Sequence, residues 1–407
     1  MKTIIIPLRP SIPERRFSVV IAGDFCPREE NSADVSSRAE KITAGVKPYF
    51  EEADLRLLQW ECAVTRSDTP IDKTGPNHRC APECIRAASA LRVDAVLLAN
   101  NHIGDYGTPG LADTLAAFRD NGIATVGAGM NLPEALEPLR SPQCTVFNAA
   151  EYEFGMADNE SAGAHPLDEI RLSAQIREEK SRSRRVIVTL HGGQEHFPFP
   201  SPLLRQRCRF LAECGADAVF NCHSHCPAGY EIWHGVPIVY SPGNFYFPGR
   251  PASLPCWRIG YLPKFHFDAD GAYALEVLPY YNFPEEIQPM NEKDTVSFEL
   301  YLKMLSEPIS DDRALQKIFD AWCVSGLPGG YFGVLFGRAL PESLQTRKGV
   351  RDILEHRNLF TCQSHQELLR NTLLLIERYQ LDAAREMLPI LQAAREPSWV
   401  KKQPERS

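Results

Sequence analysis

Asp24, Glu61, Asn101, His102, His191, His223 and His225 are far apart along the chain but share one local setting. Each stands where an apolar, β-rich run gives way to polar residues. FSVVIA runs into Gly23-Asp24, LRLLQW into Glu61, DAVLLA into Asn100-Asn101-His102, VIVTL into His191, and DAVF into NCHSHC. In open α/β sheets, ligands bind at the carboxyl ends of strands. These residue types suit a pair of divalent cations. Two such ions roughly 3.5–4 Å apart repel, so they need carboxylates to offset their charge, ideally one bridging both, with imidazoles and an amide oxygen completing the shells. A mixed oxygen and nitrogen set containing three histidines fits Mn²⁺, Fe or Zn²⁺ better than Mg²⁺. Such a pair orients a phosphoryl group, lowers the pKa of a bound water and stabilises in-line displacement. A neighbouring histidine can protonate the leaving oxygen. Each residue alone also has a plainer reading: Asp24 as a turn former or helix cap, Glu61 as a solvated carboxylate, Asn101-His102 as a polar turn, His191 as a capped strand end. The joint pattern outweighs the separate ones.

Eight strands are expected to position these groups: Phe17–Ala22, Leu55–Trp60, Asp94–Ala99, Ile123–Ala128, Val186–Leu190, Asp217–Phe220, Val236–Tyr240 and Lys264–Phe267. Continuous rather than alternating apolar runs point to sheets covered on both faces. Helical patterns lie between them, at Leu111–Asn121, stopped by Asn-Gly, and at Leu203–Cys214, stopped by Gly215. The fold class is α/β. The polar stretch Glu151–Arg185 reads as an insertion, and its charge run REEKSRSRR as a solvated helix face. After Tyr281 helical patterns dominate, at Glu367–Tyr379 and Leu381–Ala394, with the Pro/Gly-rich joint LPGGYFG before them and a frayed tail, WVKKQPERS. The expected division is 1–280 and 281–407.

The chain has 407 residues, 43% hydrophobic and 24% charged, with a net charge of −8. That is a globular composition, and the acidic balance gives no reason to expect a nucleic-acid or membrane-surface binder. MKTIII is shorter than the roughly 7–15 apolar residues of a signal-peptide core, and no run reaches the roughly 20 of a spanning helix, so the expected location is the cytoplasm. The twelve cysteines are irregularly spaced and contain no CxxC pair, which favours reduced thiols over disulfides or a zinc ribbon.

The block ANNHIGDYGTPGLADTLAAFRDNGIATVGAG (Ala99–Gly129) resembles the hallmark of the CapA-type family of poly-γ-glutamate capsule-biosynthesis proteins. YSPGNFYF (Tyr240–Phe247) is similar to its second hallmark, and GDF, HGGQEH and HSH fall in the family's order. The resemblance covers roughly residues 16–280. It implies the calcineurin-like metallophosphoesterase superfamily, with a four-layer α/β/β/α sandwich and a dinuclear metal centre.

Carried over by position, the resemblance implies Asp24 and His225 on the first metal, Asn101, His191 and His223 on the second, and Glu61 as the bridge. His102 would be the acid facing the leaving group, with Asp105 orienting it. Glu195 would lie near substrate or a metal-bound water, and Asn244 would shape the rim or brace its loop. Three positions depart from the family pattern: Cys26 stands where the superfamily has His, Gln59-Trp60-Glu61 where the family has Asn-Leu-Glu, and His191-Gly192-Gly193 where it has His-Trp-Gly. Cys26 is either a thiolate ligand or a packed thiol. The expected function is a metal-dependent phosphoesterase acting on a small molecule or polymer. The alternatives are an enzyme acting on the amide or carboxylate groups of poly-γ-glutamate, and a scaffold that keeps the metal site. Capsule relatives at the cell surface carry a membrane anchor. None is evident here, which favours the enzyme.

Overall fold

A computed structural model describes residues 1–10, 16–182, 184–249, 254–325, 354, 357–377 and 380–400. The joint at 327–333 and the tail beyond Val400 lie outside the described residues.

The first sheet is built from β1 (Ile4–Pro7), β2 (Phe17–Phe25), β3 (Leu55–Trp60), β4 (Ala95–Leu97) and β5 (Ala124–Val126). The second holds β6 (Leu139–Arg140), β7 (Cys144–Ala150), β8 (Arg185–His191), β9 (Ala218–Cys222), β10 (Tyr230–Trp233) and β11 (Val236–Val239). The chain then returns to the first sheet through β12 (Ile259–Asp268), β13 (Gly271–Asn282) and β14 (Ile287–Pro289). The strand order is β1-β13-β12-β2-β3-β4-β5, with β14 on β13, in one sheet and β10-β11-β9-β8-β7-β6 in the other. β2, β3, β4 and β5 pair in parallel, as do β7, β8, β9 and β11. The molecule is mixed α/β, as its sequence predicts.

Strand alternation sorts the apolar side chains into three cores. Val19, Ile21, Leu57 and Leu97 of the first sheet share one cluster with Val146, Ile187, Phe220 and Val239 of the second. Their neighbours Val20, Ala22, Leu58 and Val96 turn outward onto helices α1 (Ser32–Thr43) and α2 (Gly107–Asp120). Val186, Val188, Leu190 and Val219 turn outward onto α3 (Glu169–Ser181) and α4 (Pro202–Glu213). Each fully buried Val, Leu or Ile contributes about 1.5–3 kcal/mol relative to exposure. The buried runs are continuous because both faces of each sheet are covered.

Two expectations change. Residues 151–185 are not a surface insertion: α3 is the crossover helix between parallel strands β7 and β8, with Leu172 and Ile176 in the core. Glu179, within the charge run, is 2% exposed. It accepts from Thr145 Oγ1 at 2.8 Å, Arg140 Nε at 3.1 Å and Arg182 Nη1 at 3.2 Å, so the run carries a buried hub.

C-terminal to the sheets lie α5 (Glu292–Ser306), α6 (Asp312–Ser325), α7 (Gln363–Glu377), α8 (Leu381–Arg385) and α9 (Leu388–Arg395). Phe298, Leu302, Leu305, Ile318 and Phe319 join the cluster between the sheets. Among the described residues no helix is long and apolar enough to cross a membrane.

Candidate metal centre

The carboxyl ends of β2, β3, β4, β8 and β9 converge. The β2–β3 register shifts between Ala22 and Phe25, a break in the ladder where Asp24 sits. A Cβ on Gly23 would lie 2.3 Å from the Gly243 carbonyl oxygen, so only glycine lets the Ser241-Pro242-Gly243 turn approach this closely. His223 and His225 have φ of 107° and 57°. Two buried, non-glycine residues in the left-handed region mark strain held by the surrounding packing, a feature that concentrates at functional sites.

The ligand-type atoms face one another. His191 Nε2 lies 3.0 Å from Asn101 Oδ1, 2.9 Å from His223 Nδ1 and 3.6 Å from Glu61 Oε1. His225 Nδ1 is 3.4 Å from Asp24 Oδ2, and its Nε2 is 3.7 Å from Glu61 Oε1. Asp24 and Glu61 are fully buried, and Asp24 Oδ1 and both Glu61 carboxylate oxygens accept no hydrogen bond. Unpaired buried carboxylates are costly unless a cation faces them. Ligands about 2.1 Å from a shared ion stand about 3.0–3.4 Å apart, close to these separations. The donor set therefore fits divalent cations.

The electrostatics agree. Burial pushes the Glu61 carboxyl well up. Asp24 is held below its ordinary value because the His225, His191 and His223 imidazoles outweigh its burial. Burial lowers His225, but Glu61 and Asp24 prevail and raise it to about 10.

His102, Asp105 and Lys73 form a second buried group beside these ligands. His102 Nδ1 is 2.7 Å from Asp105 Oδ2 and 3.2 Å from Lys73 Nζ. Lys73 also pairs with the other oxygen of Asp105. Burial, then Lys73, holds His102 well below its usual range. His78 packs its ring 4.4 Å from that of His102, and its backbone N–H donates to Asp105 Oδ2 at 2.6 Å. Asn244 Oδ1 lies 2.9 Å from His225 Nδ1, and Asn244 Nδ2 donates to the His225 carbonyl at 3.1 Å, so Asn244 fixes ring and backbone together. Trp257 and Phe247 wall the His225 ring at 4.8 and 5.2 Å between centroids. Glu195 has a side chain 47% exposed, and His196 Nε2 lies 3.7 Å from its carboxylate.

Cys26 is buried with its thiol against Cys62, and burial pushes it well up. The sulfur that reaches the ligand cluster is that of Cys222, 3.4 Å from His191 Nδ1 and grouped with Asp24. Lys73, His78 and Glu151 are the neighbours that sequence reasoning missed. Glu151 follows β7, a strand whose Asn148 breaks the apolar run. It accepts from Gly193 N–H at 3.0 Å and Arg207 Nη1 at 2.9 Å. A Cβ on Gly192 would lie 2.6 Å from Glu151 Cγ, so this carboxylate fills the space beside the His-Gly-Gly turn.

An α/β protein with a buried carboxylate–imidazole centre at the carboxyl ends of its strands is the class these features define. The family described as bacterial capsule synthesis protein PGA_cap matches residues 18–249, more than half of the chain, and the chain belongs to that family. The PGA biosynthesis protein CapA of Bacillus subtilis (strain 168) is 28% identical over 249 residues, covering 59% of this chain and 65% of that protein. The capsule biosynthesis protein CapA of Bacillus anthracis is 27% identical over 247 residues, 58% and 59% of the two chains. A probable polyglutamine synthesis accessory protein of Mycobacterium tuberculosis (strain ATCC 25618 / H37Rv) is 30% identical over 267 residues, 60% and 70%. The matched stretch spans less than two thirds of either Bacillus protein.

Proposed function

We propose that this chain is a metal-dependent hydrolase of the capsule-polymer family, built on the four-layer α/β/β/α metallophosphoesterase sandwich. The two sheets, with Ile287–Pro289 as the last strand, form the catalytic unit, and the described helices from Glu292 onward form an extension. The three apolar cores, one between the sheets and one under each outer helix layer, support the sandwich. The unpartnered carboxylate oxygens of Asp24 and Glu61, facing His191, His223 and His225, carry the functional reading.

Asp24 and His225 would hold one cation, Asn101, His191 and His223 the other, and Glu61 both. Two divalent cations there, Mn²⁺, Fe or Zn²⁺, would lower the pKa of a water and offset the charge of an in-line displacement. Asp105 orients His102 through Nδ1, leaving its Nε2 edge to exchange a proton with a leaving oxygen. Asn244 holds the His225 ring in one tautomer and orientation. Glu195 meets the substrate or its water. The substrate class is a phosphoester. The names of the Bacillus and Mycobacterium relatives favour a second reading, action on the backbone amides of a glutamyl polymer or an accessory role in its synthesis.

The test is elemental analysis of the purified chain, with Mn²⁺-supplemented assays on a phosphodiester, a phosphomonoester and poly-γ-glutamate. Wild type is compared with His102→Ala and Glu61→Ala. About two metals per chain and phosphoester hydrolysis lost in both variants are expected. Cleavage of the polymer alone transfers the site to the second reading. Absence of bound metal removes catalysis and leaves the accessory role.

A further inference from the structure

Glu153, Cys362 and His365 lie outside the centre described above and have no part in the proposed hydrolysis. Their ligand-type atoms all fall within 4.8 Å of one another. Glu153 sits three residues past the end of β7. Cys362 immediately precedes α7 and His365 lies in its first turn, so an i,i+3 spacing puts both on one side of the helix. Cys362 is buried, and its thiol donates to Glu153 Oε1 at 3.4 Å. A tetrahedral ion with bonds of about 2.3 Å to sulfur and about 2.1 Å to oxygen separates the two ligands by about 3.6 Å. The Cys362–Glu153 pair is therefore nearly at ligand spacing already, with His365 within 4.8 Å of both. One carboxylate and one thiolate offset a divalent charge, and the imidazole binds neutral. Soft sulfur beside nitrogen and oxygen selects zinc over manganese or magnesium. Nearby Glu151 is committed to Gly193 N–H, Arg207 and Ser364, which leaves three protein ligands and one open position.

We propose that Glu153, Cys362 and His365 form a mononuclear Zn²⁺ site that fastens α7 to the end of β7, beside the main centre. Binding breaks the Cys362 S–H bond, forms a sulfur–zinc bond and releases that proton to solvent. The ion then joins segments 209 residues apart. It also sets the position of Ser364, whose carbonyl accepts from Gln194 in the His191 loop at 3.1 Å.

The experiment uses the full chain, stripped of metal and titrated with Co²⁺, followed by near-ultraviolet thiolate-to-metal absorption and by metal content. Cys222 is the other sulfur near a candidate ligand set, so Cys222→Ser is run beside Cys362→Ser. The thiolate absorption is expected to survive in Cys222→Ser and in Asp24→Asn, and to vanish in Cys362→Ser with one fewer metal per chain. Survival in Asp24→Asn also separates this site from the hydrolase reading, which that variant disables. Should Cys362→Ser fail to fold, Glu153→Gln and His365→Ala each give reduced Co²⁺ uptake. Absorption persisting in Cys362→Ser, or unaltered uptake in both of the other variants, overturns the proposal.

Discussion

Asp105 serves three partners with one carboxylate: the His102 ring, the Lys73 ammonium and the His78 backbone N–H. On the proposed mechanism it would fix the orientation and tautomer of His102, as carboxylates behind a functional histidine do elsewhere. Asp105→Asn keeps the shape but loses the charge. We expect kcat for phosphoester hydrolysis to fall about 10–100-fold with metal content unchanged. A kcat equal to wild type would remove Asp105 from the mechanism. Of this group, His102 and Asp105 stand together in NNHIGD and are legible in the sequence. Lys73 is not, because it arrives from a loop whose local pattern carries no signal.

At the scale of elements, the site depends on how closely strand ends approach their neighbours. Gly23 precedes Asp24 under the Ser241-Pro242-Gly243 turn, where a Cβ would also lie 2.7 Å from Pro242 Cγ. Neither contact is the tip of a flexible side chain, so one of the segments must shift. Gly23→Ala is expected to cost about 1–3 kcal/mol in chemical denaturation and to lower metal content by moving Asp24. Wild-type stability with full metal would show that the turn yields freely. β7 shows where pattern reading fails. Asn148 interrupts CTVFNAA, yet in the fold its Oδ1 accepts from Ala99 N–H at 2.7 Å, a cross-sheet bond behind the Asn101 loop. A polar residue paired with a distant backbone looks, in sequence, like the end of a strand.

At the scale of the whole molecule, α7 closes the flank of the site. Glu367 accepts from Leu203 N–H at 3.0 Å and Ser201 Oγ at 2.5 Å, adding to the capping of α4. Burial raises its carboxyl to about 6, against the pull of those donors, with Glu151 raising it further and Arg207 opposing. A folded-state pKa above the unfolded value favours the native state most at low pH. The benefit is full below the unfolded value of 4.5 and is lost as pH rises through about 6. Glu367→Gln mimics the protonated form. Relative to wild type it is expected to gain about 1–2 kcal/mol between pH 4.5 and pH 7.5, measured by chemical denaturation at each pH. A relative loss over that range would show that the charged carboxylate is the favoured partner.

The sequence by itself determined the α/β class, the positions of eight strands and the candidate residues Asp24, Glu61, Asn101, His102, His191, His223 and His225, because each follows a buried run that a polar residue must terminate. The tertiary structure decided which of these face each other, because strands from two separate sheets deliver them to one place. It also decided that Cys222 rather than Cys26 approaches the ligands, that Lys73 joins His102, and that Cys362 and His365 meet Glu153. Those pairings join segments whose local sequence is silent about their partners, and only the packing of one core against another brings them within bonding distance.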